Sequence, residues 1–385
     1  MMTCYNCNVP FTTENSSEEH ILPQGIGGRL TSTELLCRNC NSKYGSTIDK
    51  DLSKQFESFV ALLRLKRQRS KELPILKNLI SPSGKLFTLK DGRFPEPVHS
   101  PVTKTANGYS INARNEEEFQ AILKGFKKKY PGSDFMEMEN KVERSSSYME
   151  EPIQIQMNVG GDSLLKAVGK IALNYYLSKH GDRKYVTPLL DFINGNLNND
   201  EYVHHHLIEP SISWNPREVS HTICLQGNPD THTLVAYIIL FSSASYIVNL
   251  SETYAGPSCS YTYCYDVMTH QEVDKEVSFF YPGRTAYKTA ILTTKVKDEM
   301  AQAIRSSLKS ATSRILGLVE LFQYEDKIEE TGVEAIIEVL GPNFDEEEIS
   351  NESVNKILAV FNQKIGPFLI HFFNKHKKLS NRSSQ

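Results

Sequence analysis

Apolar residues recur at helical spacing between Asn41 and Lys66, at Ile48, Leu52, Phe56, Phe59, Leu62 and Leu63, and predict one helix over residues 41–66. Residues 74–113 change period: short alternating runs broken by Gly and by Asp91-Gly92 predict hairpin strands. Residues 115–132 start acidic, end basic and stop at Pro131-Gly132, the charge order a helix dipole favours. The polar, Ser-rich stretch 133–152 predicts an exposed linker. From Asp162, apolar positions 164, 165, 168, 171, 172 and 175 followed by Gly181 predict a helix, and a shorter one is expected at 187–194. Between 219 and 282 β-branched and aromatic runs separated by turn residues predict an antiparallel sheet. Helical periodicity returns at 295–323, 325–340 and 352–375. The expected fold class is therefore α+β, with an antiparallel sheet in its larger part and a helical C-terminus. The expected segments are 1–66, a connector at 67–150, a helix-plus-sheet domain at 151–290 and a helical region at 291–385.

Composition adds bounds. At 385 residues the chain can bury a full core, and no apolar run reaches the roughly 18 residues of a membrane span. The N-terminus has neither a basic nor an apolar leader region, so a cytoplasmic location is expected. A net charge of −3 speaks against a protein that coats nucleic acid over its whole surface. The charge is uneven, however: residues 1–80 hold eleven Lys/Arg against eight Asp/Glu. The densest basic group, Arg64, Lys66, Arg67, Arg69 and Lys71, is a candidate for tracking a phosphate backbone.

Four of the seven cysteines form two C-x2-C pairs, Cys4/Cys7 and Cys37/Cys40. In a reducing compartment that spacing points to a structural Zn2+ held by four thiolates. The 29 residues between the pairs exceed what a plain zinc ribbon requires, and they contain Glu19-His20-Ile21-Leu22-Pro23 and Gly27-Gly28. Cys40 is followed directly by Asn41. These motifs resemble those of the HNH endonucleases, in particular the HNH_5-like group. The resemblance covers about 50 residues and implies a ββα-metal finger in which a hairpin carries the histidine and the following helix the last motif residue. A weaker likeness at 164–194 is to a helix found behind such fingers in longer bacterial proteins.

Phosphodiester hydrolysis needs a deprotonated water and stabilisation of charge on the phosphoryl oxygens. His20 is the expected general base. Glu19 and the Asn41 oxygen are hard donors suited to a catalytic Mg2+ or Mn2+. Gly27-Gly28 is expected to make a tight turn or to admit a phosphate. The chain departs from the family pattern in two places: Thr31-Ser32-Thr33 stands where an Asn is common, and Asn41 stands in place of a final His. The expected function is thus a metal-dependent DNA endonuclease acting as a homodimer or with a partner protein, its larger region serving recognition, regulation or assembly, as in bacterial defence proteins. The competing expectation is a noncatalytic zinc finger that binds nucleic acid. His204-His205-His206 is expected at a surface, since consecutive strand residues point to alternate faces, and Cys259 and Cys264 are expected to pack.

Overall fold

The computed structural model of the chain describes residues 2–66, 72–90, 92, 95–98, 101–106, 108–113, 116–131, 142–143, 151, 153–155, 157–198, 202–206, 212, 215, 217–277, 279, 281, 294–342, 344 and 349–382. It forms two compact units. The first comprises Met1–Leu76, Lys90–Phe94 and Gln156–Ile328, and the second Lys77–Leu89, Pro95–Ile155 and Glu329–Gln385. The fold is α+β with antiparallel sheets, as the alternation of periods predicts.

The first unit begins with a two-stranded hairpin, β1 (Glu19–His20) and β2 (Thr31–Ser32). Three short helices follow: α1 (Arg38–Ser46), α2 (Ile48–Gln55) and α3 (Glu57–Leu62). The single helix expected over 41–66 is therefore broken twice. Thr47 sits at φ −115°, ψ −98° and donates its hydroxyl to the Lys43 carbonyl, and Phe56 at φ −99°, ψ 9° makes the second bend. The bends let Phe56 and Phe59 meet Phe241 at ring-centroid distances of 5.4 Å each, so packing overrides continuous periodicity.

The second unit contains a three-stranded sheet of β3 (Leu76–Ile80), β4 (Leu86–Leu89) and β5 (Pro95–Pro97). The hairpin β6 (Val102–Thr105) and β7 (Gly108–Ile111) follows, then α4 (Glu116–Lys129). Tyr109 packs edge-on against Phe126 of that helix, with centroids 5.2 Å apart. Most of the expected linker 133–152 lies outside the described residues.

Returning to the first unit, α5 (Asp162–Ser178) and α6 (Thr187–Ile193) lie on one face of a six-stranded antiparallel sheet. Its strands are β8 (Val203–His205), β9 (Ser220–Asn228), β10 (Thr233–Leu240), β11 (Ala244–Ser251), β12 (Cys259–Asp266) and β13 (Gln271–Glu272), in the spatial order β13-β12-β9-β10-β11-β8. Leu164, Ala167, Val168, Ile171, Ala172 and Tyr175 of α5 are buried, as their spacing predicts. The opposite sheet face buries Cys224, Val235, Tyr237, Ile239 and Ile247 beneath Ile212, Val277, Phe279 and Tyr281. With 9 and 8 residues in β9 and β10, nearly all of them buried, the central strands read as apolar on both sides.

The helical C-terminus consists of α7 (Thr294–Leu340) and α8 (Asn351–Arg382). The expected break near residue 324 does not occur, because Gln323-Tyr324-Glu325-Asp326 contains no helix breaker. Residues of α7 up to Ile328 belong to the first unit. Within the second unit, Lys364 reaches Glu334 at 3.3 Å and Glu338 at 3.0 Å. Among the described residues no helix is long and apolar enough to cross a membrane.

Candidate functional site

The two cysteine pairs converge. The sulfurs of Cys4, Cys7, Cys37 and Cys40 all lie within 4.8 Å of one another, and Cys7 Sγ is 3.7 Å from Cys37 Sγ. A tetrahedral ion with Zn–S bonds of about 2.3 Å would hold its sulfurs about 3.8 Å apart, so this donor set fits Zn2+. Cys4 turns through a knuckle closed by Asn8 N–H on the Cys4 carbonyl (2.9 Å), with Asn8 itself left-handed at φ 61°. Cys37 is the N-cap of α1, which places Cys40 in that helix's first turn. Asn6 supports the cluster: its Nδ2 donates to Cys40 Sγ (3.3 Å), while its Oδ1 accepts from Tyr44 Oη (3.0 Å) and Asn194 Nδ2 (2.9 Å).

His20 pairs with Thr31 and Glu19 with Ser32 across the hairpin. His20 is half-buried, with its Nε2 atom buried. Beyond the hairpin's first strand, Pro23 leads into one 3-10 turn, Gln24–Ile26, that ends at Gly27 with φ +91°, a conformation costly for any residue with a side chain. At Gly28 a Cβ would stand 2.1 Å from the Leu22 carbonyl oxygen. Gly27-Gly28 therefore makes the expected tight turn, and the close approach is to the chain's own backbone.

Glu19 has a different setting from the expected one. It is 1% exposed, and its Oε1 accepts from Lys170 Nζ at 2.5 Å and from Asn174 Nδ2 at 2.9 Å. Lys170 Nζ also contacts Asp49 Oδ2 at 2.7 Å, and Tyr5 Oη donates to Asn174 Oδ1 at 2.8 Å. Lys170 and Asn174 are one turn apart on α5, so this helix presents both donors to the finger. Burial pushes the Glu19 carboxyl above its ordinary value against the pull of Lys170. Desolvation alone would lower the Lys170 pKa, but Asp49 and Glu19 outweigh it and hold the ammonium above its ordinary value. A buried carboxylate whose oxygen already serves an ammonium is not an open metal ligand, because a second cation there would meet an adjacent fixed positive charge. In this structure Glu19 anchors the finger to α5.

Asn41 lies on α1 against the same chain segment. Its Nδ2 donates to the Glu18 carbonyl (2.9 Å) and to Ser17 Oγ (3.3 Å), which leaves Oδ1 as the amide atom that can accept or coordinate. Ser32, one of the substitutes for the missing middle Asn, accepts from Glu34 N–H at 3.2 Å.

The basic group divides. Arg64, left-handed at φ 56°, binds both carboxylate oxygens of Asp326, donates to the Gly92 carbonyl (3.2 Å) and stands 5.7 Å from the Phe322 ring centroid. It is thus engaged within the first unit. Lys66 is exposed, and Arg67, Arg69 and Lys71 lie outside the described residues. Of the three histidines expected at a surface, His204 and His205 are half-buried and His206 is buried. His206 is 5% exposed, its pKa is lowered to about 4 by burial, and burial lowers His205 as well. Cys264 packs, as expected, beside Thr222 Oγ1 at 3.4 Å.

Two positions had no sequence signal: Lys170 and His221. His221 is fully buried on β9; its Nε2 donates to the Ile26 carbonyl at 2.8 Å, and its Nδ1 accepts from Phe241 N–H at 3.2 Å. That bond pins the turn following the His20 strand to the sheet, and only the three-dimensional pairing of residues 195 apart reveals it.

No curated protein and no solved structure matches the chain. Over residues 4–57, a span that holds both cysteine pairs with Glu19, His20 and Asn41, the chain matches the HNH_5 family, described as HNH endonuclease.

Proposed function

We propose that this protein is an endonuclease that hydrolyses DNA phosphodiester bonds at its N-terminal finger. At the family level the finger is of nuclease type. The observation that carries the reading is the assembled four-sulfur cluster, which joins the His20 hairpin to the Asn41 helix and so brings two distant motif residues into one finger. His20 takes a proton from the attacking water, a bond forms from that oxygen to phosphorus, and the P–O bond to the leaving sugar oxygen breaks as that oxygen takes a proton from solvent. Thr31 and the turn pinned by His221 hold the His20 strand in place. Mg2+ or Mn2+, when bound at the finger, would supply charge neutralisation at the phosphoryl oxygens. Of the expected ligand pair, Asn41 keeps its oxygen available. Lys66 with the neighbouring Arg67, Arg69 and Lys71 is proposed to meet the DNA backbone, and two copies would cut both strands. The larger region would serve recognition, regulation or assembly, with defence among the processes it fits.

A second reading is favoured by the Glu19–Lys170 pair: a finger that keeps its zinc and binds nucleic acid without cutting. Plasmid nicking with Mg2+ or Mn2+ separates the two. The nuclease reading expects nicking by the wild type and a loss of about 100-fold or more in His20→Ala, with zinc content unchanged. A folded, zinc-loaded wild type that never nicks with either ion leaves only the second reading.

A further inference from the structure

The first cysteine knuckle is gripped from outside the finger. Tyr5 donates its hydroxyl to Asn174 on α5, Asn6 meets Asn194, and Asn8 accepts from Arg183, which lies in the turn between α5 and α6. The Asn6 contact leads on to a sulfur: its Nδ2 donates to Cys40 Sγ at 3.3 Å, so this amide joins the first knuckle to the second. Four thiolates on one divalent cation leave such a site net negative, and an N–H donor to sulfur offsets part of that charge. Which end of the Asn6 amide faces Cys40 is decided at its far side. Asn194 Nδ2 donates to Asn6 Oδ1 at 2.9 Å, and Tyr44 Oη stands 3.0 Å from that oxygen and 2.9 Å from Asn194 Oδ1. Turned over, the Asn6 amide would set its NH2 against the NH2 of Asn194 and its oxygen against a thiolate, replacing two bonds by two repulsions. Asn194 is the C-cap of α6, whose Leu189, Leu190, Phe192 and Ile193 are buried, so the orienting donor sits on an element packed on α5 and β11.

We infer that Asn194 is a positioning residue of the metal site: from the end of α6, 188 residues from Asn6 in sequence, it turns the Asn6 amide toward Cys40 Sγ and thereby sets how tightly the finger keeps its zinc. The helical part of the larger region is then a working part of the zinc site, whether or not the finger cuts.

The test uses the full-length chain. Competition with a chromophoric chelator reads Zn2+ affinity, and Co2+ loaded in place of Zn2+ reads the sulfurs through the thiolate-to-metal charge-transfer band. Asn194→Ala should weaken zinc binding about tenfold or more, the usual loss for an outer partner of a metal ligand, and move the band to lower energy. Asn6→Ala should do the same. Because Asn194 acts through Asn6, the double variant should bind zinc within about twofold of Asn6→Ala alone. Asn196→Ala, just past the same helix end but with its side chain on Asp191 at 3.4 Å, should change neither affinity nor band. Should Asn194→Ala fail to fold, Asn194→Leu removes both polar atoms without leaving a cavity. A loss short of tenfold in the Asn194 variant overturns the proposal, as does an unmoved band or an equal loss in Asn196→Ala. So does a double variant weaker than Asn6→Ala by more than about twofold, or a wild type that binds no Zn2+.

Discussion

Lys170 is a single ammonium, 1% exposed, between two carboxylates at 2.5 and 2.7 Å. Its removal would strand the buried Glu19 and the half-buried Asp49 as close like charges. Lys170→Met is expected to cost about 3–5 kcal/mol in urea unfolding, the usual penalty for breaking a buried pair from one side. A loss under about 1 kcal/mol would show that the pair is solvated. The sequence gives no hint of this role, because Lys170 sits inside an otherwise apolar helical repeat and its partners are 121 and 151 residues away. The four cysteines were legible because the cluster's chemistry is local and spaced along one short segment. The contacts of Glu19 were not legible for the complementary reason: motif position names the residue, whereas only α5 reveals which way its carboxylate is turned. Arg64 and His206 show the same limit, since charge and polarity are visible in sequence while the partner that buries them is not.

At the scale of elements, the finger's tie to the sheet passes through His221. Its folded pKa, lowered to about 4 by burial, lies below the ordinary histidine value, so the fold prefers the neutral ring. The sign follows directly: the contribution is full above about pH 6.5 and is lost as pH falls toward 4, amounting to about 3 kcal/mol at the acid end. His206, also lowered to about 4, adds in the same direction. Melting temperature is therefore expected to drop between pH 6.5 and 4, with a shallower drop in His221→Gln, as differential scanning fluorimetry would read. An equal slope in the variant would remove His221 from the account. The docking of α2 on α5 adds further links: Ser163 Oγ donates to Asp51 Oδ2 at 2.6 Å, and Gln55 exchanges two bonds with Gly160. Periodicity placed α5, α6 and the central strands well, because each buries a regular face. It missed the two breaks after α1, where aromatic packing and one threonine redirect the chain, and the three-residue strand β8, too short to show a period.

For the whole molecule, zinc and charge make separable predictions. A chelator that strips the four-sulfur site is expected to unfold the finger and lower the melting temperature, because folding and metal binding are one equilibrium in such sites; circular dichroism before and after zinc is restored would follow it. An unchanged melting temperature would mean that the finger folds without its ion. DNA binding should divide the basic group. Lys66→Ala is expected to lower the salt slope of DNA affinity by roughly one, the value for one lost phosphate contact. Arg64→Ala should destabilise the chain and leave that slope unchanged, since its guanidinium is held by Asp326. Fluorescence anisotropy across a salt series would decide both.

The central claim is that the finger cuts DNA through His20, and plasmid nicking measures it most directly. With zinc-loaded full-length protein and Mg2+ or Mn2+, wild type should convert supercoiled DNA to the nicked form while His20→Ala, equally folded and zinc-loaded, should be at least about 100-fold slower. Nicking at equal rates by both proteins, or by neither, would contradict it.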